Sequence, residues 1–173
     1  NILYILGWLG NFDWIKSERS SINLLKNTLE VLNSFYPNFN IFIKPHYITD
    51  MNIVSSIIKK NNYENIFVSY LHTGLLGKFC PITISNYYSL AVIDAYYAGS
   101  ITIEYSDYSK AALKCSNNKS VISKQVSYFI NDNNESFKAA ILKALKERES
   151  LSRPTIKYNS FKSNKILIEK LTT

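Results

Sequence analysis

The sequence predicts an α/β domain: a Rossmann-like, doubly wound parallel sheet of about six strands. Short β-branched or apolar runs alternate with longer segments whose apolar residues recur at helical spacing, and Gly, Pro or Asn residues separate the two. Strands that alternate with helices favour right-handed crossovers, and therefore a parallel sheet. At 173 residues, the chain is long enough for one domain with its own hydrophobic core.

The predicted strands are short runs rich in Ile, Val, Phe and Thr. In chain order they span residues 2–6, 41–43, 66–68, 82–84, 101–103 and 126–130. A doubly wound sheet binds ligands beyond the carboxyl ends of its strands, near the point where the strand order reverses. The loops that follow these strands are therefore the place to look for a site.

The predicted helices lie between the strands. They comprise a helix capped by Ser20 or Ser21, one capped by Asp50, one or two turns over 73–79, a helix over 89–98 with Gly99 at its end, and one that follows Asn134. The polar region 105–120 is predicted to be a loop. We divide the chain into the Rossmann-like domain, 1–150, and a C-terminal helical extension, 151–173, whose helix covers 159–171.

Charge and composition narrow the class of protein. The net charge is +7, but only three of the 20 basic residues are Arg, and the Lys residues are scattered. This pattern favours a solvated surface, with a basic face toward an anionic ligand or membrane as the alternative, and it argues against nucleic acid as a partner. Two cysteines exclude a disulfide scaffold and a four-cysteine zinc site, and they are compatible with the cytoplasm.

The chain opens directly in an apolar run without an initiator Met, a basic leader region or a small-residue cleavage site. It has no apolar run of about 18 residues that would span a membrane. We interpret it as a fragment that begins just before a strand, with an N-terminal domain missing.

Polar and glycine residues cluster in the segments that follow the predicted strands. They are Gly7, Gly10, Asp13, Lys16, Lys44, His46, His72, Ser85, Ser89 and Glu104. The fold is expected to bring them to one edge of the sheet, although they are far apart in sequence. No metal site is predicted, because the two histidines and two cysteines lack a recognised ligand spacing.

Lys44-Pro45-His46 ends the second strand sharply, because Pro45 fixes the backbone and keeps Lys44 out of the helical region. His46 then projects over the edge, where it either binds a phosphate or a ribose hydroxyl or caps a neighbouring loop. Ser85 and Ser89 flank the start of a predicted helix. Ser89 is an N-cap candidate, and that helix end also suits a phosphate.

Several well-known sites are absent from the sequence. Gly7-Trp8-Leu9-Gly10 is a glycine loop that lacks the G-x-G-x-x-G spacing of dinucleotide-binding proteins. The second strand also ends in Lys rather than in the acidic residue that this motif requires. There is no phosphate-binding P-loop motif and no nucleophile elbow. Asp107 and Glu104 are candidates for a divalent ion, but solvated loop acids are the simpler interpretation.

The order of these segments resembles a known group of enzymes. In chain order these segments are Lys44-Pro45-His46, Ile82-Thr83-Ile84-Ser85, Ser89-Leu90-Ala91-Val92-Ile93-Asp94-Ala95 and Ile101-Thr102-Ile103-Glu104-Tyr105. Their order is similar to that in the C-terminal half of GT-B fold glycosyltransferases of bacterial surface polysaccharides. Capsular β-Kdo transferases resemble it most, with polysialyltransferases and teichoic-acid glycerophosphotransferases similar in the same places. The resemblance covers about residues 1–110.

The resemblance implies a function. It matches His46 and Ser89 to groups that face the phosphate of a cytidine nucleotide, and Asp94 to a position that is usually Glu. Tyr47 replaces the Pro of the His-Pro motif, and Tyr88 stands where Ser or Thr often precedes the helix. The implied activity is transfer of a sugar from a nucleotide donor, such as CMP-Kdo, to a saccharide acceptor in capsule or lipopolysaccharide synthesis.

The resemblance further implies that the acceptor and the catalytic base belong to the missing N-terminal domain, so the catalytic residues are unknown. No cofactor is expected. The donor-binding candidates are Gly7, Gly10, Lys44, His46, Ser85, Ser89 and Glu104. The expected location is cytoplasmic, with inner-membrane contact left open. A non-catalytic Rossmann-like interaction module and a nucleotide-sugar epimerase of GT-B architecture are the alternatives.

Overall fold

The computed structural model describes residues 1–7, 9, 21–35 and 37–150. Within them lies a six-stranded, all-parallel sheet flanked by helices, with the strand order β3-β2-β1-β4-β5-β6. This is the order of the dinucleotide-binding Rossmann folds, with the switch point between β1 and β4. The predicted fold class is confirmed.

Most elements lie where the sequence places them. The strands are β1 (Ile2–Leu6), β2 (Ile41–Pro45), β3 (Ile66–Val68), β4 (Ile82–Asn86), β5 (Ile101–Ser106) and β6 (Tyr128–Asn131). The helices are α1 (Ser21–Asn33), α2 (Met51–Lys60), α3 (Thr73–Phe79), α4 (Ala91–Tyr97), α5 (Lys110–Cys115) and α6 (Asn134–Ser150). The predicted extension, 151–173, lies outside the described residues.

Alternate side chains along β1 enter two separate cores. Ile2, Tyr4 and Leu6 of β1 face a large cluster that also contains the inner sides of α1 and α6. Leu3 and Ile5 face a smaller cluster beneath α3 and α4. Strands buried on both faces are typical of parallel sheets, which explains why β1 is apolar at every position.

Two of the predicted helix caps are confirmed. The Asp50 carboxylate accepts from the Asn52 N–H at 2.9 Å and caps α2. Gly99 follows α4 with a φ of +92°, a conformation that glycine adopts without strain. Both features are local in sequence, so they could be recognised without knowledge of the fold.

Several predicted boundaries are wrong. The interval 105–120 is not a loop, because β5 continues to Ser106 and α5 follows, capped by Ser109. The sixth strand begins at Tyr128 rather than Val126, since Val126 packs into the smaller core instead. The helix predicted from Ser89 begins at Ala91 and has no side-chain cap.

The strands β4 and β5 also run past their predicted ends, to Asn86 and Ser106. The sequence did not indicate these longer strands, because Ser85 and Glu104 are polar and polar residues are typical of exposed loops. Both are fully buried inside the sheet, opposite each other in register. The backbone pairing of β4 with β5 therefore continues past these two polar residues, to Asn86 and Tyr105.

The α3 and α4 helices pack closely because α3 carries glycine at the crossing. A Cβ built on Gly77 would lie 2.9 Å from the Ala95 Cα and 3.2 Å from the Ala98 Cβ. The small residues therefore allow the two backbones to approach. Within the described residues, no helix is long and apolar enough to cross a bilayer.

We predict that Gly77→Ala destabilises the fold by about 1–3 kcal/mol, because the new methyl group overlaps the α4 backbone. Gly74→Ala is the matched control, since its Cβ would first meet the His72 side chain at 3.4 Å, and alanine favours the helix. Urea unfolding of both variants would measure the effect. Equal midpoints for the two variants would contradict the proposed close crossing.

Candidate functional site

The candidate site lies at the carboxyl edge of the sheet, around the switch point. There the backbone after β2 folds over the end of β1. The His46 N–H donates to the Leu6 carbonyl at 2.9 Å, and the Thr49 hydroxyl donates to the Gly7 carbonyl at 3.2 Å. These bonds fix the loop that carries His46 beside the crevice between β1 and β4.

The His46 imidazole is exposed, and one of its nitrogens is engaged. Nδ1 accepts a long hydrogen bond of 3.4 Å from the Ile48 N–H, and the ring lies against Tyr47 with centroids 4.4 Å apart. A neutral histidine that accepts at Nδ1 carries its proton on Nε2. The arrangement therefore offers an exposed N–H donor, which suits an anionic or hydroxyl-bearing ligand.

Asn86 closes the base of the crevice at the end of β4. The Tyr4 hydroxyl donates to its side-chain oxygen, and its amide donates to the Thr28 hydroxyl and to the Tyr105 carbonyl, both at 3.0 Å. One buried side chain thus joins β1, α1, β4 and β5. Burial raises the pKa of Tyr4 far above its ordinary value, so its hydroxyl stays protonated as a donor.

The chain reverses sharply just after Asn86. Tyr87 has a φ of +63°, which costs a side-chain-bearing residue about 1–2 kcal/mol. Its hydroxyl donates to Asp107 Oδ1 at 2.5 Å, and its ring packs 5.4 Å from that of Tyr108. These contacts hold the strained residue in place, and they turn the next residue, Tyr88, outward.

A cavity of about 690 Å³ opens beside this loop, at the carboxyl ends of β4 and β5. Tyr88 and Tyr108 form aromatic walls, and Cys115, Ser116 and Lys119 contribute polar groups. The volume is in the range of small-molecule sites, which combine apolar walls with a few polar groups. The cavity lies at the ligand-binding edge of the fold.

Glu104 lies beneath that cavity rather than in it. It is fully buried and accepts from the Tyr108 hydroxyl at 2.9 Å and the Ser120 hydroxyl at 2.5 Å. The Tyr108 hydroxyl in turn accepts from the Tyr88 N–H at 2.8 Å. Burial raises the pKa of Glu104, outweighing the two hydrogen bonds that favour its ionised form. Glu104 therefore positions Tyr108 and Ser120 around the cavity.

Of the other donor-binding candidates, Ser85 is fully buried, and its hydroxyl has no hydrogen-bond partner among the residues that the structure describes. Lys44 lies on the sheet face and donates to the Tyr70 carbonyl at 3.4 Å, with its ammonium 5.9 Å from the Tyr70 ring. Ser89 is partly buried at the edge, just before α4. Gly7 is also at the edge, but a Cβ there would make only an ordinary contact of 3.6 Å.

The structure thus brings Gly7, His46 and Ser89 to the carboxyl edge, and it leaves Ser85 and Glu104 within the strands. Gly10, Asp13 and Lys16 lie outside the described residues. The binding roles given to all these residues stay predictions.

His72, the second histidine, has a structural role. Its Nδ1 accepts from the Gly74 N–H at 3.2 Å and caps α3, and its Nε2 lies 3.8 Å from a carboxylate oxygen of Asp94. One ring nitrogen of His72 thus caps a helix, and the other faces a carboxylate. Asp94 is accordingly placed to orient His72.

Sequence reasoning missed Asn86, Tyr108 and Ser120. Asn86 ends an apolar strand and has the appearance of a turn residue. The contacts of the other two span 4 to 20 residues and depend on the mispredicted interval 105–120. Two tyrosines only three residues apart, Tyr105 and Tyr108, were the available signal for buried hydroxyls.

A larger groove of about 1030 Å³ runs between α1 and α2, lined by residues such as Lys26, Glu30 and Lys60. It lies along the helical face rather than at the carboxyl edge. Neither cavity is lined by a donor-binding candidate that the structure describes. We favour the smaller cavity because it lies at the edge where such sheets bind their ligands. Across the described part of the chain, no three His, Cys, Asp or Glu side chains come together as a metal site.

No protein-family model matches the chain. No curated protein matches it in sequence either. The functional argument therefore rests on the geometry of the carboxyl edge and on the motif order described above.

We predict that Glu104→Gln makes the free energy of unfolding less dependent on pH between neutral pH and 4.5. Because the pKa of Glu104 is raised on folding, the native state binds this proton more tightly than the unfolded chain does. The wild type should gain stability relative to the variant as pH falls from neutral toward 4.5, the carboxyl group's ordinary pKa. Urea unfolding of both proteins across that range would measure it, and a constant difference would refute it.

Proposed function

We propose that the chain is the nucleotide-sugar donor-binding domain of a glycosyltransferase of bacterial surface-polysaccharide synthesis. The observation that carries the proposal is the cavity beside Tyr88, which opens at the ligand-binding edge of a 3-2-1-4-5-6 sheet, on the same edge as an exposed His46 donor. The resemblance of the Lys44-Pro45-His46 and Ser89–Ala95 segments to the donor-binding halves of such enzymes supports it.

The spacing of the site suits a nucleotide. His46 follows β2 and the cavity lies beyond β4 and β5, so two to three strand spacings separate them, roughly 10–14 Å at about 4.8 Å each. A base and ribose that fill the cavity leave the phosphate to extend across the switch point toward His46. Tyr88, exposed beside the cavity, offers a ring face on which a base can stack.

His46 then acts on the departing nucleotide. Negative charge on the phosphate grows as its bond to the sugar breaks, so a donor already aimed at that oxygen binds the transition state more tightly than the ground state. The Nε2–H of His46 fills this role. A CMP-linked donor is favoured by the motif resemblance, and the acceptor and catalytic base are assigned to a separate N-terminal domain.

The proposal implies a cytoplasmic location, at or near the inner membrane. The two cysteines of the chain, Cys80 and Cys115, are both free thiols, which is compatible with a reducing compartment.

We predict that His46→Ala weakens binding of CMP or CDP about tenfold or more, the usual loss for a hydrogen bond to a charged group. His72→Asn is the matched control, because asparagine keeps the α3 cap and His72 does not belong to the proposed site. Calorimetric titration of CMP, CDP, UDP and GDP into each protein would measure the effect.

Two results would count against this prediction. Unchanged affinity of His46→Ala for every cytidine and uridine nucleotide would remove His46 from the site. Absence of nucleotide binding by the wild type would overturn the proposed function and favour the non-catalytic interaction module.

We further predict that Tyr88→Ala weakens nucleotide binding by about 1–3 kcal/mol, the value of stacking a base on an aromatic ring. The Tyr88 N–H bond to Tyr108 uses the backbone and survives the substitution. Tyr88→Phe should retain affinity, and Tyr97→Ala, on the outer side of α4, should not change it. Equal losses in the Tyr88→Ala and Tyr97→Ala variants would place the base elsewhere.

A further inference from the structure

The α5 side of the cavity carries two polar side chains to which the proposed function gives no role. Tyr88, which follows β4, lines one side of the cavity, and residues between 108 and 121, which include the end of α5, line the other. Within that segment, Asn117 and Lys119 both line the cavity, and both are exposed. A ligand in the cavity therefore meets an amide and an ammonium group opposite the Tyr88 ring.

Three hydroxyl groups of the cavity wall are already engaged within the protein. Tyr108 and Ser120 donate to the Glu104 carboxylate, at 2.9 and 2.5 Å. Ser116 donates to the Leu113 carbonyl at 3.2 Å. Because a hydroxyl group has one proton to donate, none of the three has a proton left for a ligand. A side-chain amide offers two N–H groups and a carbonyl oxygen, and an ammonium group offers three donors.

The backbone around Asn117 is held on both sides. The N–H groups of Asn117 and Asn118 donate to the carbonyls of Lys114 and Leu113, at 3.3 and 2.7 Å, and so close the end of α5. The two asparagines have φ values of +54° and +56°, a conformation that Asn adopts more readily than most other residues with a side chain. Ser120, bonded beneath the cavity, fixes the segment on its other side. The amide is therefore carried by a fixed stretch of backbone.

We propose that Asn117, together with Lys119, binds the edge of the base and selects a pyrimidine nucleotide. This inference rests on the proposed nucleotide site. Cytosine presents an amino donor at N4 and acceptors at N3 and O2. The Asn117 amide can accept from N4 and donate to N3, and the Lys119 ammonium can donate to O2. Uracil is matched as well, because the same amide, turned over, donates to O4 and accepts from N3–H.

Purine bases are matched less well by the same two groups. The O6 and N1–H of guanine can pair with the amide, but the N2 amino group then meets the Lys119 ammonium, and two donors face each other. Adenine can pair through N6 and N1, but it presents a C–H group to the ammonium. A polar group that is desolvated without a partner lowers affinity, so guanine is disfavoured most strongly.

The test compares two neighbouring asparagines in the full chain. The wild type should bind CMP and UMP about tenfold or more tightly than GMP, and Asn117→Ala should lose most of that preference, as expected for a bidentate contact with a base. Asn118→Ala is the matched control, since Asn118 is also exposed and has the same backbone conformation but does not line the cavity. Calorimetric titration of the three nucleotides into each protein would measure the preference.

A second substitution separates the two pyrimidines. Asn117→Asp keeps an acceptor for the N4 amino group of cytosine but has no donor for the O4 of uracil. This variant should therefore bind CMP more tightly than UMP, whereas the wild type should bind the two about equally. A change in this ratio reports contact with the base, because a general loss of fold would weaken both nucleotides alike.

Three results would overturn the role of Asn117. They are an unchanged preference in Asn117→Ala, an equal loss of preference in Asn118→Ala, and wild-type binding of GMP as tight as that of CMP. Each of them leaves the proposed nucleotide site in place, because the wild type still binds a nucleotide. Absence of binding of all three nucleotides by the wild type would instead overturn the proposed function itself, and this inference with it.

Discussion

The carboxyl edge of this domain depends on the buried amide of Asn86. A side-chain amide in the core is tolerated only when its donors and acceptor are satisfied, and Tyr4, Thr28 and the Tyr105 carbonyl do so from three different elements. Because all of these groups are buried, shifting any one strand would leave several of them unpaired. The amide therefore fixes the relative positions of β1, β4 and β5, and with them the width of the switch-point crevice.

The strained turn that follows depends on this anchor. Tyr87 adopts its left-handed conformation next to a strand end that cannot shift, and its hydroxyl is held by Asp107 beyond β5. Strain of this kind persists only where the surroundings fix the backbone. The result is a rigid loop that exposes Tyr88 beside a cavity while its N–H is bonded to the Tyr108 hydroxyl. Local strain and long-range hydrogen bonds thus shape the same surface.

Features that depend on residues close together in sequence could be predicted, and features that depend on residues far apart in sequence could not. Apolar runs such as Ile2–Leu6 and local caps such as Asp50 depend on neighbouring residues, and they were recovered. The α5 helix was missed because six residues with one leucine show no periodicity. Glu104 resembled a loop residue, since its burial depends on hydroxyls 4 and 16 residues away. His46 was correctly expected to be exposed, because Pro45 ends the strand locally.

The electrostatics of the edge decide which groups can bind an anion there. Burial raises the pKa values of Tyr4, Tyr87 and Tyr108, so these side chains remain neutral hydroxyls. Burial also raises the pKa of Glu104, whose carboxyl oxygens are both bonded to hydroxyl groups beneath the cavity. The α4 helix has only seven residues and no capping side chain, so its dipole is weak. A phosphate at this edge would therefore depend on side-chain donors at the rim, and the His46 imidazole is exposed there.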